Sequence, residues 1–129
     1  MQAEKLNWAD DTAQPLLQHM CFVDPSANAV VVGTGHFSAG QMMPTDGFSK
    51  YGMREISIIL EGAIETESGG QTRVLKRGDI VTIPPDQQQR SRFLEDTKLV
   101  YVFFGAMDGS VNSKADLSSK IDVAQSSAL

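Results

Sequence analysis

Residues 53–85, MREISIILEGAIETESGGQTRVLKRGDIVTIPP, constrain this chain more than any other stretch. Apolar residues come there in short runs, and glycine or proline closes each run. Such punctuation predicts strands and turns rather than helices. It places four strands, at 54–61, 63–67, 72–76 and 79–84. In the first, Ile56, Ile58 and Leu60 fall on one side; Glu55, Ser57, Ile59 and Glu61 fall on the other. Gly62 stops the run at a strand's length, which disfavours a helix. Ser68-Gly69-Gly70 and Lys76-Arg77-Gly78-Asp79 read as tight turns, since glycine reaches positive φ without a Cβ clash. Pro84-Pro85 ends the fourth strand because proline offers no N–H to the ladder. Glu55 thus shares a mixed face with Ser57. That face either lines a wet pocket or meets solvent, and one strand leaves both readings open.

The same signals continue on both sides. Residues 29–34 (AVVVGT) and 35–43 (GHFSAGQMM) read as two strands, and 44–52 as a loop that delivers Phe48, Lys50 and Tyr51. Residues 90–94 and 98–104 read as two more strands, the last the most apolar. About eight short strands without a long helix predict an all-β closed barrel or jelly roll. Residues 1–28 read as an N-terminal arm, 29–105 as the barrel and 106–129 as a C-terminal tail. The tail is expected to be flexible or to form a short helix on Leu117, Ile121 and Ala124. Trp8 is costly to leave in water, so the arm is expected to pack on the barrel or on a second subunit.

Length and charge narrow the partners. A chain of 129 residues supports one domain. Its net charge of −5, without a basic stripe, argues against nucleic acid. Cys21 is the single cysteine, so no intramolecular disulfide forms, which fits a reducing compartment. The polar start lacks a secretory signal, and no apolar run is long enough to span a bilayer. These points predict a cytoplasmic protein with no membrane partner. His19 and Cys21 are close in sequence, but nothing else stands at zinc-ligand spacing, so they read as an arm residue and a buried thiol.

Two landmarks carry a family resemblance. Glu55 is followed by six residues and Gly62, and Gly78 by five residues and Pro84. In this, residues 33–105 resemble the cupin superfamily of RmlC-like jelly rolls. The closest type is that of the ethanolamine-utilisation protein Q, on the strength of residues 33–43, the aromatic loop and EISIILEG. The departures lie at the metal ligands. The family's first motif sets two histidines before its glutamate, where this chain has Phe48 with Lys50, or Ser49 with Tyr51. Its second motif runs on to a glycine, a histidine and an asparagine, where this chain has Asp86, Gln89 and Phe93. Imidazole normally binds transition ions, so a metal would need a substitute ligand such as His36 from the neighbouring strand, and no metal or other cofactor is favoured.

The resemblance implies a small double-stranded β-helix with Glu55 pointing into the lumen. Strand parity then sets Ser57 beside it, with Gln89 and Ser91 opposite. His36, Tyr51 and Tyr101 or Phe103 are the further lining expected. The candidate ligand-binding set is therefore His36, Tyr51, Glu55, Ser57, Gln89 and Tyr101. A cationic neighbour such as Lys50, Arg90 or Arg92 would keep Glu55 ionised. Three functions stay open: a metal-independent small-molecule-binding cupin, an enzyme such as a lyase or isomerase using Glu55 as acid or base with His36 or Tyr51, and an assembly protein without a ligand. The outward Ile56, Ile58 and Leu60, the strand at 98–104 and the Trp8 arm predict a homodimer.

Overall fold

The computed structural model describes residues 1–26 and 28–106. The expected tail helix around Leu117, Ile121 and Ala124 lies outside the described residues. Short alternating runs and glycine turns produce nine strands among those residues, and no helix. They are β1 (Leu16–Val23), β2 (Asn28–Phe37), β3 (Met42–Met43), β4 (Arg54–Glu61), β5 (Ala63–Ser68), β6 (Gln71–Lys76), β7 (Ile80–Ile83), β8 (Gln89–Phe93) and β9 (Thr97–Ala106).

The strands form two antiparallel sheets, β1-β2-β9-β4-β7 and β3-β8-β5-β6, in the jelly-roll arrangement. The four strands expected at 54–84 are β4 to β7 with small shifts at their ends. Gly62, Gly69, Gly70 and Gly78 all hold positive φ at the turns between them. The inner faces meet in a core that includes Val31, Phe37, Ile59, Ile64, Leu75 and Phe93. Phe37 of the large sheet and Phe93 of the small one stack with centroids 3.9 Å apart.

Two expectations about the first half are corrected. The N-terminal arm is not irregular throughout, because β1 within it pairs with β2 and edges the large sheet. A register shift between Gln18 and Met20 breaks its alternation, which hid the strand. The strands expected at 29–34 and 35–43 are instead one long strand, β2, followed by a bend and the two-residue β3. Gly35 does not break β2, since it stays in register opposite Leu99.

Residues before β1 lie against the barrel, as Trp8 led us to expect. Lys98 sits over the Trp8 ring, 5.2 Å from its centroid. Thr34 Oγ1 donates to the Asn7 carbonyl, and Gln41 Nε2 donates to that of Thr12 at 2.7 Å. His19 is engaged there too, with Nε2 at 2.9 Å from the Asn7 carbonyl. No helix among the described residues is long and apolar enough to cross a membrane.

Candidate functional site

Register fixes which side chains look inward. On β4 the inward set is Glu55, Ser57 and Ile59; on β9 it is Leu99, Tyr101 and Phe103. Glu55 lies opposite Phe103 and Ser57 opposite Tyr101 across the β4–β9 ladder. Together they wall a cavity of about 70 Å³ between the sheets, closed from the other side by residues such as Thr66, Ser91 and Phe93.

Glu55 anchors this cavity. Its Oε1 accepts from Gln89 Nε2 at 3.0 Å, and its Oε2 accepts from Ser57 Oγ at 2.9 Å. Glu55 is half-buried and lines the lumen. Burial pushes its carboxyl above the usual glutamate range, and the hydrogen bonds from Ser57 and Gln89 pull it back in part. No ion pair reaches it among the described residues. The expected arginines are engaged elsewhere: Arg90 Nη2 lies 2.8 Å from Glu67, and its guanidinium lies 4.5 Å from the Phe48 ring centroid. Arg92 lies 3.7 Å from Glu65.

The aromatic wall is continuous. Tyr51 and Phe103 have centroids 4.7 Å apart at 50°, and Tyr101 and Phe103 lie 5.5 Å apart at 58°. Tyr101 packs across Gly33, its partner on β2. A Cβ on Gly33 would stand 2.3 Å from the Tyr101 hydroxyl oxygen and 2.6 Å from the Leu17 carbonyl oxygen, so only glycine leaves room for the ring.

Of the six sequence candidates, Tyr51, Glu55, Ser57, Gln89 and Tyr101 line this one cavity. His36 does not, and its assignment to the lumen is corrected. It pairs with Lys98 in the β2–β9 register, on the side opposite Phe37, which does face the cavity. Its Nδ1 lies 2.7 Å from the Ala9 carbonyl, so it holds the N-terminal segment. Sequence reasoning left Ser49 off the list. It is 2 % exposed, lines the cavity, and exchanges backbone hydrogen bonds with Gln89 at 2.9 and 2.8 Å. The structure thereby decides the motif alignment, since Ser49 and Tyr51, not Phe48 and Lys50, stand beside Glu55.

Those positions test the metal that the cupin pattern implies. Ser49, Tyr51 and Gln89 stand where the pattern has histidines, and none brings an imidazole. Both oxygens of the one carboxylate already accept hydrogen bonds from neutral neighbours. Among the described residues, no three His, Cys, Asp or Glu side chains gather at one point. This donor set does not fit a transition-metal ion.

Comparison with known proteins agrees with the architecture. The EutQ-like cupin domain family matches residues 33–101, just over half the chain. KdgF from Halomonas sp. is similar in structure, with a TM-score of 0.56 at 20% identity over 81% of this chain and 91% of that one. A putative ethanolamine utilization protein Q from Salmonella typhimurium has a TM-score of 0.50 at 21% identity over 71% and 69%. The DMSP lyase DddQ from Ruegeria pomeroyi has a TM-score of 0.54 at 20% identity over 85% and 58%. None of the curated proteins compared matches the chain significantly.

Proposed function

Because the chain belongs to the EutQ-like cupin family, we propose that it is a small-molecule-binding cupin that holds a small polar or mixed ligand beside Glu55, without a transition metal. One observation carries this reading: a carboxylate, a carboxamide and a hydroxyl converge inside a mostly apolar cavity. Pockets that orient small ligands have this build, an apolar wall with a few aimed polar groups.

A thermal-shift screen of small metabolites tests it. A ligand at a hundred times its Kd adds about 2.7 kcal/mol, or a Tm rise of about 10 °C for a chain of this size. The Glu55→Ala variant, folded by circular dichroism, is expected to lose most of that rise. An unchanged rise removes Glu55 from the site.

A second reading is an enzyme in which Glu55 acts as general acid or base. The raised carboxyl favours it, because a buried acid that holds its proton more firmly than a solvated one can deliver it to a substrate. Tyr51 is then the partner, since His36 lies outside the lumen. Turnover of a ligand from the screen, abolished in Glu55→Gln, would establish this reading. Homodimerisation and a cytoplasmic location belong to the same proposal; the apolar outer face of the large sheet supports the first, and the single Cys21 fits the second.

A further inference from the structure

The charge balance of the lumen is one-sided. Glu55 is its acid, and among the described residues no Lys, Arg or His walls it. A carboxylate offers about four acceptor sites, and Ser57 and Gln89 fill two of them. Carboxylates are seldom left inside apolar walls without a positive partner. Arg90, Arg92 and Arg54 are committed to Glu67, Glu65 and the Thr82 hydroxyl. Among the described residues, no Lys, Arg or His lies within ion-pair distance of Glu55.

The wall beside Glu55 is aromatic. Tyr51, Phe103 and Tyr101 form a run of rings tilted 50° and 58° to one another, and Phe103 and Tyr101 stand next to Glu55 and Ser57 on the neighbouring strand of the same sheet. Ring faces attract cations, most strongly where water is excluded. An anion would meet Glu55 head-on. A neutral ligand would leave the carboxylate without its counter-charge.

Resting on the lumen-binding reading above, we propose that the preferred ligand is a small organic cation, a protonated or methylated amine lying in the lumen against both the Glu55 carboxylate and the neighbouring rings of Tyr51, Phe103 and Tyr101. Size limits it further. The cavity of about 70 Å³ has room for about five non-hydrogen atoms, at roughly 10–15 Å³ for each water-sized body. The net charge of −5 favours the arrival of such a ligand.

Three probes of similar size and different charge separate the possibilities: tert-butylammonium, tert-butanol and acetate. Each is titrated into the full chain while the ring signals of Tyr51, Tyr101 and Phe103 are followed by NMR. Tert-butylammonium is expected to bind at least about tenfold tighter than tert-butanol, and acetate to leave the rings unmoved. Glu55→Gln should bring the cation down to the affinity of the alcohol. Tyr51→Leu should weaken it severalfold, and Tyr51→Phe should retain it. Alcohol or acetate bound in the lumen as tightly as the amine would overturn the cation assignment and leave lumen binding standing. Rings unmoved by all three probes would overturn both.

Discussion

Glu55 sets a pH dependence that its neighbours only partly offset. In the unfolded chain it titrates near the ordinary 4.5, and in the folded chain higher, because burial disfavours its charge. Between these values the folded state holds more proton than the unfolded one. Its contribution to stability therefore falls as pH rises through that window, and levels off above the folded value. The Tm of the wild type minus that of Glu55→Gln should decline from about pH 4.5 upward and then flatten. Parallel curves would show that the carboxyl is solvated. Asp86 gives a second test. It holds φ 64°, a left-handed conformation, at the position where the cupin pattern has glycine. Asp86→Gly should raise stability by about 1 kcal/mol in urea denaturation, as relief of left-handed strain on a Cβ.

At the scale of elements, the contact between sheets matters most. Phe37 on β2 and Phe93 on β8 are each 2 % exposed and stack almost parallel, so they tie the two layers together. Phe93→Ala should cost about 3–5 kcal/mol, read from the urea midpoint, because the opened space cannot fully collapse. Such elements were legible in the sequence where alternation was unbroken. The run through Glu55, Ser57 and Ile59 revealed its inward face, and the glycines and prolines marked the turns around it. Strand β1 was illegible because its register shift interrupts the period. His36 was misplaced for a related reason. The inward face of β2 follows from pairing Gly33 with Tyr101 on a strand 68 positions later, which no local pattern contains. Ser49 carried no signal of its own either: its place in the lumen depends on backbone bonds to Gln89 across the fold.

On the whole molecule, the outer face of the large sheet is the feature left to satisfy. Val32, Val102 and Ile56 lie in register across three adjacent strands, all only partly buried, and Ile80 at the edge is 67 % exposed. Apolar faces of this extent mark contact surfaces. Sedimentation at micromolar concentration should show a two-fold dimer, and Val102→Glu at the centre of the patch should yield monomers. A monomeric wild type would refute it.

A groove of about 390 Å³ opens between the unpaired edges of β6 and β7. It shares Thr66, Leu75, Val81 and Ile83 with the inner cavity, so a partition one side chain thick separates bulk water from Glu55. The consequence is kinetic. The partition's aliphatic members are Leu75, Val81 and Ile83, so a guest passing this way would need side chains to change rotamer and not a domain to rearrange. For the ligand proposed above, residence would then be timed by how firmly it is held, with no door to wait for.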